Sequence, residues 1–157
     1  MSTANTDNVV VRVANPIAAA ILKDGTADIN QGDQVYYDTS AHVVKSLGTS
    51  DDTNAANFYG VAGDGSFIQP YATKVYADMI PVYNKGVFRF KSTVGDTYTN
   101  GNKVYVGADA QTITNTIGGN TKVLGIVILP PGITSLAGAV GTFVEVQIEA
   151  QYPVASF

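Results

Sequence analysis

Two stretches of the chain are written on one plan. Residues 32–48 read GDQVYYDTSAHVVKSLG, and residues 101–118 read GNKVYVGADAQTITNTIG. Gly32 pairs with Gly101, Val35 with Val104, Tyr36 with Tyr105, Ala41 with Ala110 and Val44 with Ile113, at a constant displacement of 69 residues. Each copy opens on a Gly-Asp or Gly-Asn turn and enters a strand whose Val and Tyr point to opposite faces. A polar turn then leads into a second short strand. A small-residue strand follows, GVA at residues 60–62 and GIV at residues 125–127. The interval from the opening glycine is 28 residues in the first copy and 24 in the second, so the first holds four more. These fit the loop TSDDTNAAN, where insertion costs little. Two copies are too few to stack as a solenoid. The duplication therefore predicts one compact body with a pseudo-repeat over residues 29–64 and 98–129.

The flanking segments read as strands by their period of two. In VVVRV, Val9, Val11 and Val13 share a face; in KGVFRFK, Phe88 and Phe90 oppose Val87 and Arg89. In TFVEVQIEA, Val144, Val146 and Ile148 line one face, and Glu145, Gln147 and Glu149 the other. Asn/Asp-Gly turns punctuate the chain, and Pro130-Pro131-Gly132 ends the strand GIVIL because proline donates nothing to a ladder. Helix is confined to two candidates, residues 49–56 and the short IAAAIL at 17–22, which reads equally as a strand. Thr, Val, Ala, Gly and Asn dominate at only 14% charged residues, the makeup of half-buried pleated surface and tight turns. The expected fold is all-β, a compact antiparallel β-barrel or β-sandwich. A flexible arm over residues 1–8 precedes a single domain over 9–157, of a length that holds a core without metal or disulfide.

The composition argues against most chemistry. A net charge of −4 with nine scattered basic residues gives no track for a phosphate backbone, so no nucleic-acid partner is expected. Absence of cysteine removes disulfides and thiolate chemistry. The polar start MSTANTDN lacks a signal-peptide pattern, and no apolar run reaches about 18 residues, so the chain is expected to be soluble and off the membrane. His42, the one histidine, sits in a turn where the second copy has Gln111, the position of a solvated side chain. Glu145 and Glu149, four apart on a strand, stand about 13 Å apart, too wide for a glycosidase pair. Asp51 and Asp52 match no calcium loop, and no phosphate-cradling glycine motif occurs. No enzyme activity, cofactor or metal is expected. Tyr36 and Tyr105 recur in step with the hairpin, which favours packing over ligand stacking.

What remains is surface. Residues 129–143, LPPGITSLAGAVGTF, are apolar and uncharged. They are either an interface or a segment folded back over a barrel mouth. Leu129, Ile133, Leu136, Val140 and Phe143 are the candidate interface residues, with Val9 and Val11 of the arm. Gly32, Val35, Tyr36, Gly101, Val104 and Tyr105 are assigned to the structural repeat.

The order G-D-x-V-Y, G-V-A, K-G-V-F-R-F, G-x-K-V-Y-V, G-I-V and a closing aliphatic strand resembles the small decoration, or cement, proteins of tailed bacteriophages. The resemblance spans residues 29–148 and rests on the succession of simple motifs. It implies a structural virion protein without catalytic residues, made in the host cytoplasm. Such a protein binds the outer capsid surface as a homotrimer and bridges neighbouring copies of the major capsid protein. The competing expectation is a carbohydrate-binding or adhesive β module of a phage fibre or cell surface. A glycosidase or lyase comes third, for want of an acid/base pair.

Overall fold

The computed structural model describes residues 10–12, 18–22, 29–47, 57–63, 79–117 and 123–150. The arm at 1–8, Val9 and the helix candidate at 49–56 lie outside the described residues, as do Asp51 and Asp52. Among the described residues the fold is all-β, as expected. The strands are β1 (Val10–Arg12), β2 (Ala18–Leu22), β3 (Gln34–Asp38), β4 (Val43–Ser46), β5 (Phe58–Ala62), β6 (Met79–Tyr83) and β7 (Lys85–Ser92). After them come β8 (Thr97–Thr99), β9 (Lys103–Val106), β10 (Thr112–Thr114), β11 (Gly125–Val127), β12 (Ser135–Ala137) and β13 (Phe143–Glu149). Within the segment IAAAIL, Ala18–Leu22 form the strand β2.

The duplication reaches well past the hairpin. One sheet runs β2-β6-β5-β3-β4. In the other, β7-β13-β11-β9-β10 follow in the same order, and β10 returns to β7 to close a five-stranded barrel. The registers correspond as well. Tyr36 faces Lys45 and Tyr37 faces Val44; their counterparts Tyr105 and Val106 face Thr114 and Ile113. Val35 lies opposite Gly60 as Val104 lies opposite Gly125. Ala18 and Ala19 face Tyr83 and Val82 as Val87 and Phe88 face Gln147 and Val146. Two five-stranded units are thus built on one plan, and the register places the four extra residues between β4 and β5.

The units differ at their seams. β10 pairs with β7 in parallel, through Thr112 opposite Lys91 and Ile113 opposite Ser92. This single pair departs from the antiparallel expectation. It uses the last two residues of the eight-residue β7. β2 has five residues and ends at Leu22, the counterpart of Lys91. Among the described residues β4 makes no pairing with β2, so the first unit is a half-barrel, and β1 adds to β7 outside the closed ring.

The repeated glycines have physical reasons. Gly32 and Gly101 hold φ of 87° and 82°, the left-handed region where a Cβ is penalised. Each sends its N–H to the small-residue strand, to Ala62 O and Val127 O. Gly60 and Gly125 are required by space. A Cβ on Gly60 would stand 2.3 Å from Tyr83 O, and one on Gly125 2.5 Å from Gln147 O. Tyr83 and Gln147 are themselves counterparts, so the same close strand approach is made twice.

One core joins the units. Tyr36, Leu47, Phe58 and Val61 of the half-barrel pack in one cluster with Phe88, Phe90, Val104 and Val146 of the barrel. Ile29, Val35, Val44, Ile80 and Val82 fill the half-barrel itself. Each such side chain contributes about 1.5–3 kcal/mol by leaving water. Polar groups seal the junction. Gln34 N–H donates to Ala110 O at 2.7 Å, and Gln34 Nε2 to Thr112 O at 3.2 Å. Asp33, fully buried, accepts Gln111 Nε2 at 2.7 Å, Asn30 N–H at 2.9 Å and Ser46 Oγ at 3.0 Å.

Candidate functional site

The outward faces of β7 and β13 carry the charged residues that their alternation predicted. Lys85 pairs across the ladder with Glu149 at 3.1 Å, and Arg89 lies opposite Glu145 with 3.9 Å between Nη2 and Oε1. Such exposed pairs stabilise little. The second differs in what surrounds it. After β11 the chain turns at Pro130-Pro131-Gly132, where Ile133 N–H donates to Pro130 O, and runs into β12. This return lays apolar side chains beside the pair and encloses a cleft of about 280 Å³. Leu129, Pro130, Ile133, Leu136 and Phe143 form its apolar walls, and Arg89 and Glu145 supply its charge.

Four of the five candidate interface residues from this stretch therefore converge. Their exposure is unequal. Ile133 is 46% exposed, and Leu136 and Phe143 are half-buried. Leu129 falls on the core side of the two readings of its stretch: it is 5% exposed and belongs to the core cluster. Its N–H donates to Asn100 Oδ1 and fixes its backbone, and the residue also lines the cleft. The stretch is thus partly core and partly surface. Val140 stands away from the cleft and is 93% exposed. Val11 lies in β1, whose strand pairing alone is described.

Val140 has a neighbour that the sequence did not single out. The turn at 93–96 and the turn at 138–141 are tied by Gly95 N–H to Gly138 O and by Gly138 N–H to Asp96 O. Val94, on the first turn, is 64% exposed. One end of the closed barrel therefore presents two valines at adjoining turn tips. The turns are held rigid from below. Asp96 Oδ2 accepts Thr114 Oγ1 at 2.7 Å and Asn115 N–H at 2.9 Å. Tyr98, fully buried, accepts Thr93 N–H at 3.0 Å and donates to Ile113 O at 2.9 Å. Burial, with the Asp96 charge beside it, pushes the Tyr98 hydroxyl up to about 12.

The other polar candidates are structural. His42 is exposed in the β3–β4 turn at φ 57°, with its Nδ1 3.4 Å from Tyr37 Oη. Asp38 organises that turn, accepting Ser40 N–H, Ser40 Oγ, Ala41 N–H and Lys45 Nζ. The Lys45 ammonium, aided by Ser40, holds its carboxyl well below the ordinary range. Among the described residues no three His, Asp or Glu side chains converge. Tyr36 and Tyr105 are buried, so the repeat's tyrosines pack. The sequence sorted Arg89 to an outward face but gave no sign of the cleft. Its one clue was the shared alternation with Glu145. Comparison with family models finds no match, and none appears among curated proteins.

Proposed function

We propose that the chain is a structural virion protein that binds the outside of an assembled phage capsid and stabilises it by bridging neighbouring major capsid subunits. The observation that supports this reading is the joining of a rigid duplicated β scaffold to unsatisfied apolar surface. The cleft walled by Ile133, Leu136 and Phe143 and the Val94–Val140 end both adjoin the closed barrel. Packed scaffolds of this kind hold contact residues in place before binding, which lowers the ordering cost. Modest contacts repeated over a symmetric shell, or within a homotrimer, add up through avidity. The motif order that resembles the decoration proteins supplies the identity of the shell. The competing carbohydrate reading would draw on exposed tyrosines other than Tyr36 and Tyr105, which are buried, and the described lining of the cleft offers it the Phe143 ring.

The test is co-sedimentation of the purified protein with expanded heads that lack it, followed by heating. The expected outcome is saturable binding at a fixed ratio to capsid subunits and a raised rupture temperature. Failure to bind intact heads overturns the reading, and binding on a glycan array would replace it.

A further inference from the structure

β12 has a strand on one side only. It pairs with β8 through Ser135, Leu136 and Ala137 opposite Thr99, Tyr98 and Thr97, and among the described residues it has no second strand neighbour. Ser135 and Ala137 are exposed. An open edge of this kind is a template for another strand. The cleft is lined by Leu136 of β12 and Ile133 just before it, and by no residue of β8. Open backbone and apolar pocket therefore adjoin. That pairing is the requirement for strand addition, in which main-chain bonds hold an extended peptide and a pocket selects its side chains.

The cleft's size and charge define what enters. About 280 Å³ falls just below the roughly 300–1,000 Å³ of small-molecule sites. It suits a single bulky side chain acting as an anchor. Arg89 brings a half-exposed guanidinium to the wall, engaged with Glu145 only at 3.9 Å. A guanidinium offers five N–H donors in a fork that matches a carboxylate. Glu145 beside it disfavours a second carboxylate lodged deep in the cleft, so the acid belongs at the rim.

We infer that the β12 edge and its cleft receive an extended segment of a protein partner that carries a bulky apolar residue with an Asp or Glu two positions away. The two side chains then share one face of the added strand, about 7 Å apart. The apolar residue fills the cleft and the carboxylate meets Arg89. The inference rests on the capsid-binding reading only for the source of the segment.

The test needs no capsid. A random decapeptide display library is selected on the full chain. Enriched peptides are expected to share a Leu, Ile, Met, Phe or Trp with an acidic residue at the second position before or after it. Ile133→Asp, at an exposed wall, is expected to weaken a winning synthetic peptide at least tenfold. Arg89→Gln is expected to remove the acidic preference while keeping the apolar one. N-methylation of alternate backbone amides in that peptide should weaken it at one set of positions and not the other. No enrichment, winners without the pattern, or indifference to both substitutions and to N-methylation would overturn the inference. So would concentration-dependent self-association in sedimentation that Ile133→Asp abolishes, since a second copy would then be the occupant. Head binding is measured separately: heads that bind without any peptide selection leave the capsid reading standing alone, and the reverse leaves only the cleft.

Discussion

Gln111 Nε2 donates to Asp33 Oδ1 across 2.7 Å, and both side chains are closed off from water. The bond links the two copies at positions where their sequences diverge. The counterpart of Gln111 is His42, exposed in its turn, and the counterpart of Asp33 is Asn102. Head-to-tail packing of the units buries one turn and leaves its twin in solvent, and the residues differ accordingly.

Asp33→Ala should therefore be among the most damaging polar substitutions. It removes the acceptor that Gln111 Nε2, Asn30 N–H and Ser46 Oγ share. Hydrogen bonds to a charged group are worth about 1.5–3 kcal/mol each, so a loss of about 3 kcal/mol or more is expected in urea unfolding. Gln111→Ala should cost about 2 kcal/mol and also release Lys91 Nζ. The double variant should show a coupling of about 1 kcal/mol or more. Simple additivity would mean that the bond does not join the units.

The glycines separate strain from space. Gly101→Val forces a β-branched residue to φ 82° where no neighbour stands within 4 Å, so it should cost about 2 kcal/mol through backbone strain. Gly125→Ala drives a Cβ to 2.5 Å from Gln147 O in a packed ladder and should cost about 3 kcal/mol or more. Denaturation midpoints should follow that order although the second change is chemically smaller. A reversed order would put the glycine requirement in the turns and not in the strand approach.

The hairpin was legible because its glycines, Val35/Val104 and Tyr36/Tyr105 repeat in step. The partner strands were not, since AAAIL of β2 and KGVFRFK of β7 share no residues that mark them as counterparts. Their equivalence lies in hydrogen-bond register, which many aliphatic sequences satisfy. The cleft was half legible. Exposed apolarity pointed to Ile133, Leu136 and Phe143, but Arg89 joins them from β7, 44 to 54 residues earlier in the chain. Leu129 stayed unsorted between interface and core because composition cannot tell an apolar residue on the surface from one that closes a core.

Alkaline pH should lower the protein's stability through Tyr98. Its hydroxyl is raised in the folded state from 10.0 to about 12. Between those values the unfolded chain releases the proton and the folded chain keeps it, so stability falls as pH rises. The contribution is complete below pH 10 and lost as pH passes about 12. Tyr98→Phe should lower stability near neutrality by about 1–2 kcal/mol, because Thr93 N–H loses its hydroxyl partner. It should also flatten this part of the decline. Urea titrations of both proteins from pH 8 to 12 check the two effects; parallel curves would assign the alkaline loss to other groups.

The exposed end of the barrel makes the sharpest distinction between folding and binding. Val140 and Val94 sit at 93% and 64% exposure on turns already fixed by backbone bonds and by Asp96. Replacing both with Ser removes little that is buried, so stability should change by no more than about 0.5 kcal/mol. If these tips touch the shell, affinity for expanded heads should fall at least tenfold, because desolvation of two aliphatic side chains is lost from the contact. Leu129→Ala provides the opposite case. It opens a cavity behind the cleft and should cost about 2–5 kcal/mol, while the protein that remains folded keeps its valine tips and binds through them. Thermal melts and co-sedimentation on the same three proteins read both quantities. Unchanged head binding by the double-serine variant would take this end of the barrel out of the interface and leave the β12 cleft as the place to look.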